Sequence, residues 1–146
     1  MKPLFIALTM LATVFSKTSF ANEDNVTPAV LQSFHNTFHT TNVEWTVSKN
    51  LYKAQFSMNG SVVTAFYDSE GTLIATTRNI TLMQIPVTLQ TALKRDYKNM
   101  WVTDLLEVAN EDGTEYYITV ENADSKIILK AMGNFKWGVY QKIRKS

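Results

Sequence analysis

Apolar and polar positions alternate most regularly through residues 51–77, LYKAQFSMNGSVVTAFYDSEGTLIATT, and the pattern predicts three antiparallel strands joined by two short turns. Asn59-Gly60 has the chemistry of a two-residue type I′ hairpin loop, because both residues tolerate positive φ. Fixing that loop sets the register: Met58 faces Ser61, Phe56 faces Val63, Ala54 faces Ala65 and Tyr52 faces Tyr67. Cross-strand partners share a face, so Tyr52, Ala54, Phe56, Val63, Ala65 and Tyr67 make one largely apolar surface. The other surface, with Lys53, Gln55, Ser57, Val62, Thr64 and Phe66, is mixed. One face needs a cover, and the other can meet water or a partner.

A cover is encoded upstream. Thr27 suits an N-cap and Pro28 the first helical position, where its missing N–H costs no hydrogen bond. Leu31, Phe34 and Phe38 recur at near-helical spacing, and Thr40-Thr41-Asn42 ends the segment. Val43, Trp45 and Val47 then alternate with polar residues, predicting a strand that turns at Lys49-Asn50. Asp68-Ser69-Glu70-Gly71 suits a type I turn closed by a left-handed glycine, which places Thr72 opposite Asp68.

The order repeats. Leu89, Leu93 and Tyr97 predict a second amphipathic helix after Pro86, which keeps Ile85 out of helical geometry. Strands follow through residues 102–109, from about 114 to 121, through 126–132 and through 135–143. Asn110-Glu111-Asp112-Gly113 is read like Asp68–Gly71, which sets Val108 against Tyr116 and Leu106 against Ile118. In the last strand Phe135, Trp137, Val139 and Gln141 share a side, with Tyr140 on the other. An offset of 59 residues relates Phe38 to Tyr97 and Val47 to Leu106, but sets Asp104 against Trp45. The predicted class is α+β: two units, about 27–79 and 86–143, with two helices packed on one face of a continuous antiparallel sheet of about eight strands.

The amino terminus changes the accounting. Lys2, the apolar run LFIALTMLATVF and the small-residue pattern at Ser19-Phe20-Ala21 have the layout of a secretory signal peptide, residues 1–21, cut after Ala21. Residues 22–146 would then be a single mature domain. Losing Lys2 and Lys17 moves the net charge from +1 to about −1, which argues against a nucleic-acid partner. The apolar run is too short to span a bilayer, so no transmembrane insertion is expected after cleavage. The chain has no cysteine, which excludes lipid attachment through that residue, thiol nucleophiles and thiolate zinc sites.

Candidate chemistry is sparse. His35 and His39 stand at i and i+4, the spacing of a zinc pair, with Glu44 the nearest acid; HNTFH lacks the glutamate of a zinc-protease helix. A metal-dependent hydrolase is therefore a distant alternative, and both histidines read better as flanks of the core. Asp68/Glu70 and Glu111/Asp112 sit in turns, where such residues serve the backbone. No nucleophile is marked, so the reading is of a protein that is not an enzyme and takes no cofactor. Aromatic residues carry the remaining functional weight. Lys53 with Phe66, Tyr117, and Trp101 or Trp137 form the candidate partner-binding set.

The helix ending in Phe38, the phrases VEWTV, YKAQFSMNG, AFYDSEGTLIAT and IPVTLQTALKRDY, and EDGTEYYITV further on resemble the PepSY-like secreted proteins whose fold is like that of β-lactamase inhibitor protein. The resemblance spans about residues 27–140. It implies two tandem helix-plus-antiparallel-sheet units, a periplasmic or secreted location in Bacteroidetes-like bacteria, and no cofactor. The inhibitor contains disulfides and this chain cannot, so architecture carries over more safely than inhibition. Together these readings predict an exported binder of a protein or peptide in the cell envelope, the alternative being a structural or homo-oligomeric envelope protein.

Overall fold

The computed structural model describes residues 20–146. Two helices, α1 (Pro28–Phe38) and α2 (Val87–Asp96), are set among strands β1 (Phe20–Ala21), β2 (Glu44–Ser48), β3 (Leu51–Met58), β4 (Ser61–Tyr67), β5 (Leu73–Asn79), β6 (Trp101–Asn110), β7 (Gly113–Glu121), β8 (Ser125–Met132) and β9 (Lys136–Arg144). The fold is α+β, and the sheet follows chain order from β1 to β9. Apart from two-residue β1, that is the eight-stranded antiparallel sheet the sequence pattern calls for. Of the expected signal segment, residues 1–19 lie outside the described residues; Phe20 and Ala21 pair with Thr46 and Trp45 of β2. The described chain divides into two compact units. One runs to Thr76 and includes Asn110–Gly113; the other holds Thr77–Ala109 and Thr114–Ser146.

In the first unit, local chemistry fixes both ends of α1. The Thr27 hydroxyl accepts from the Val30 N–H at 3.3 Å and donates to the Ser69 carbonyl at 3.1 Å, tying the helix start to the β4–β5 turn. His39 closes the helix in the left-handed region at φ 52°. The hairpin register is the one Asn59-Gly60 dictates, from Met58↔Ser61 to Tyr52↔Tyr67, with φ of 52° and 79° at the two loop residues. Val30 and Phe34 of α1 pack against Trp45, Tyr52, Ala54, Phe56, Val63, Ala65 and Tyr67, with Leu31, Phe38, Val43 and Val47 around them. Aromatic edges meet faces here: the Phe34 ring lies 5.2 Å from Trp45 and 5.3 Å from Phe56, both T-shaped.

The β4–β5 turn matches its reading. Asp68 Oδ1 accepts from the N–H groups of Glu70 and Thr72, and the Asp68 N–H donates to the Thr72 carbonyl. Gly71 is required twice. Its φ is +85°, and a Cβ there would stand 2.6 Å from the Ala29 carbonyl oxygen of α1.

In the second unit, Leu89, Leu93, Ile80, Ile85, Leu105, Ile118, Val120, Ile127 and Leu129 form the core under α2, an aliphatic counterpart of the first. The approach to α2 contains a 3-10 turn, Leu82–Gln84, in a capping box with Thr81. Trp137 Nε1 donates to the Leu89 carbonyl at 2.9 Å, and the Thr88 hydroxyl donates to the Asn134 carbonyl, so the β8–β9 end is pinned to the first turn of α2.

Two register expectations fail here. β6 runs to Asn110 and β7 starts at Gly113, so Glu111-Asp112 is a two-residue turn rather than the three-residue loop that sets Val108 against Tyr116. One residue of slip exchanges the two faces of a strand, and Leu105, not Leu106, enters the core. Helix positions Val30 and Phe34 do map to Leu89 and Leu93 at the expected offset. The strand core steps one residue further, and Leu105 rather than Asp104 answers Trp45. The second failure is in β9. A bulge between Ile128 and Leu129 breaks its pairing: Trp137 and Val139 pair with Ala131 and Leu129, but Gln141 pairs with Ile128. Gln141 therefore leaves the side it was expected to share with Trp137.

Candidate functional site

In the second unit the register shows which side chains turn away from α2. Ile118, Val120, Ile127 and Leu129 point into the core, so Tyr117, Thr119 and Glu121 of β7, opposite Lys130, Ile128 and Lys126 of β8, occupy the helix-free face. Their chemistry is organised around Tyr117. Its hydroxyl donates to Glu115 Oε2 at 3.1 Å, and Lys130 Nζ lies 2.9 Å from Glu115 Oε1 and 5.6 Å from the Tyr117 ring centroid. The Tyr140 ring meets Tyr117 edge-on at 5.2 Å. Burial, reinforced by the Glu115 charge, pushes the Tyr117 phenol well above its ordinary pKa, and burial raises Tyr140 in the same direction. Both phenols stay protonated at neutral pH. A buried neutral phenol donates hydrogen bonds and packs; it is neither an activated nucleophile nor a base.

The end of this unit carries an exposed indole. Trp101 is 54% exposed and opens β6. Lys145 Nζ stands 5.4 Å from its ring centroid, 3.1 Å from Glu121 Oε1 and 2.8 Å from the Asn122 carbonyl oxygen. The Thr103 side chain, then Lys145, holds the Glu121 carboxyl below its usual range. The indole face is thus held by a cation whose charge is already matched.

The helix-free face of the first unit is plainer. Lys53 lies opposite Phe66, Gln55 opposite Thr64 and Ser57 opposite Val62. Burial lowers the pKa of the Lys53 ammonium. A shallow cleft of about 220 Å³ is lined by Asn42, Glu44, Gln55, Phe56, Ser57 and Val62. In the second unit a cleft of about 310 Å³ lies along Asn79–Leu82 and Val102–Leu105. Burial raises the Asp104 carboxyl there, and Asn79 Nδ2 donates to it at 2.9 Å. Neither cleft pairs an activated nucleophile with a base.

Of the five candidate residues, the structure brings Lys53 and Phe66 together as a cross-strand pair, but Phe66 is 3% exposed and Tyr117 2%. Neither offers a contact surface as it stands, because rings on the polar-patterned face are buried by their own neighbours. Trp137 is half-buried on the α2 side of the sheet, the opposite side from Tyr117. Of the candidate aromatics, Trp101 is the broadly open one. Sequence reasoning passed over Glu115 and Lys130, whose only signal was an acid two residues before Tyr117 and a cation on the facing strand. His35 sits edge-on to Phe34 at 5.6 Å, while His39 is the cap residue past the helix end, in the left-handed region. No group of three His, Cys, Asp or Glu able to hold a metal occurs among the described residues. No described helix is long and apolar enough to cross a membrane.

No protein-family model matches this chain, and no curated protein matches it. Solved structures do. A candidate periplasmic protein of Bacteroides eggerthii superposes with a TM-score of 0.72 at 16% identity, over 82% of this chain and 88% of its own. A DUF2874 family protein of Bacteroides ovatus gives 0.71 at 20% identity, over 83% and 89%. A BLIP-like protein of Bacteroides fragilis gives 0.66 at 20% identity, over 84% and 92%. Likeness at these identities is a likeness of fold, and by fold this chain is similar to periplasmic, DUF2874 and BLIP-like proteins of Bacteroides.

Proposed function

We propose that this chain is an exported, non-enzymatic module that binds a protein or peptide of the cell envelope through the helix-free face of its second unit. The observation that carries the reading is that Trp101 is open beside a matched Lys145–Glu121 pair at one end of that face, with Glu121 further along β7 from Tyr117, whose ring layer is ordered by Glu115 and Lys130. An exposed indole on a preorganised rim adds contact area at low ordering cost. Lys53, with Phe66 beneath it, extends the proposal to the first unit as an orienting charge at the edge of its own face.

Membership among PepSY-like secreted proteins and a periplasmic or secreted location are part of the same proposal. They rest on the amino-terminal export pattern and on fold likeness to a candidate periplasmic protein and a BLIP-like protein. β-Lactamase inhibition itself is not carried over. Cleavage after Ala21 would remove β1 and leave eight strands, with β2 as the outer strand of its unit.

The test is capture from the native envelope fraction with immobilised mature protein, followed by affinity measurement on the partner retained. Trp101→Ala is expected to weaken binding by about tenfold or more, the scale of a central aromatic anchor. Equal affinity for the wild-type chain and this variant would reject the surface.

A further inference from the structure

The sheet ends at β9, and among the described residues no strand pairs with its far side. Outer strands left with free N–H and C=O groups are usually blunted by charge, proline or short length. β9 is nine residues long, contains no proline and carries Lys136, Lys142 and Arg144 with no acid. Those cations oppose pairing with a second copy of the same strand, which would bring like charges together.

The strand is not otherwise closed. Val139 is 62% exposed, on the α2 side of the sheet as its pairing with Leu129 shows. Phe135, in the turn leading into β9, is 73% exposed, and Val87 at the start of α2 is 74% exposed. The Thr88–Asn134 and Trp137–Leu89 hydrogen bonds hold Val87 and Phe135 to the same corner. An open backbone ladder beside bared apolar side chains, on a cationic strand, fits one kind of occupant. It is an extended segment with apolar side chains beside Phe135 and Val139 and acidic ones at its other end, toward Lys142 and Arg144. The bulge brings those two cations to the α2 side, opposite Ile127 and Ser125, while Lys136 lies on the other side.

We propose that β9 is a docking edge for an extended, acidic segment of another protein, added as a further antiparallel or parallel strand. The inference rests on the binding-module reading but uses a different surface from the face that carries Trp101. Main-chain hydrogen bonds would supply affinity, Val139 and Phe135 the selection for apolar residues, and Lys142 and Arg144 the preference for acidic ones.

The probe is a capped peptide of about nine residues, rich in valine in one half and in glutamate in the other, titrated into the isotope-labelled mature chain while amide resonances are followed. The expected result is shifts concentrated in residues 136–144, with affinity lowered about tenfold by Val139→Glu and by Lys142→Glu. A valine–lysine peptide, or the acidic peptide interrupted by proline, should bind at least about tenfold more weakly. Both positions are exposed, so the variants should keep the parent spectrum, and Lys142→Glu decides alone should Val139→Glu disturb it. Shifts confined to β6 and β7, no binding, or equal binding of the lysine or proline peptide would overturn the proposal. So would a dimer of the free chain that Val139→Glu dissociates, since a second copy would then be the occupant. Trp101→Ala should leave peptide binding intact. Failure of the peptide while Trp101-dependent capture persists would remove the edge and leave the face standing.

Discussion

The two units solve one packing problem with different materials. In the first, Phe34 meets Trp45 and Phe56 edge to face, and the helix-free side carries short polar residues with one ring, Phe66, sunk beneath it. In the second, the fully buried core under α2 is aliphatic, with Tyr97, Tyr116 and Trp137 only partly buried around it, and other rings lie outside it: Tyr117 and Tyr140 line the helix-free face, and Trp101 stands open near its end. Aromatic area inside a core is spent on folding, whereas aromatic area on a preorganised outer face is available to a partner. The difference teaches where to look for function: in the unit whose core can do without its rings.

The comparison predicts unequal effects. Phe34→Ala should cost the first unit about 3–5 kcal/mol, because four ring contacts lose their common member. Leu93→Ala should cost the second about 2–5 kcal/mol. Denaturant unfolding measures both, and a Phe34→Ala loss under about 1 kcal/mol would break the idea that the first core depends on its rings. Gly71→Ala comes next. A Cβ set against the Ala29 carbonyl adds a clash to the roughly 1–2 kcal/mol of left-handed strain, while Gly113→Ala meets open space, so the first should be clearly the more damaging. Glu115→Ala should cost about 1–3 kcal/mol, since the Tyr117 hydroxyl and Lys130 lose a shared charged partner.

The phenols add a pH dependence with a definite sign. Burial pushes Tyr67 up to about 12 from an ordinary value of 10, so the folded chain holds that proton more tightly than the unfolded chain. The resulting stability is fully present below about pH 10 and is lost as pH rises toward about 12. Tyr117 acts in the same direction. Unfolding midpoints between pH 9 and 12 should fall less steeply in Tyr67→Phe than in the parent. The smallest stability effect is expected at Trp101, where an exposed indole should cost under about 0.5 kcal/mol when replaced by alanine.

How far the sequence reached depended on how local the signal was. Asn59-Gly60 admits one tight turn, and every pair from Met58↔Ser61 to Tyr52↔Tyr67 follows from it. Asn110–Gly113 resembles Asp68–Gly71 in composition, and each begins with a side-chain oxygen accepting from the backbone two residues on. Turn length is set by strand pairing as well as by that bond, so equal chemistry concealed a shift of one residue and put Leu106 where Leu105 belongs. The β9 bulge has one residue signature nearby, the isolated Gly138, which marks an irregular strand without fixing where the shift falls. Candidate site residues were legible as types but not as surfaces. Alternation marked Phe66 and Tyr117 as off the core, yet both are buried, because cover supplied by neighbouring side chains is a property of the assembled sheet.

The most direct test of the central claim compares partner affinity for the mature wild-type chain, Trp101→Ala and Lys53→Ala, with each variant checked for unchanged unfolding. The second-unit face predicts a loss of about tenfold or more for Trp101→Ala and a smaller loss for Lys53→Ala. Unchanged affinity in Trp101→Ala would contradict it.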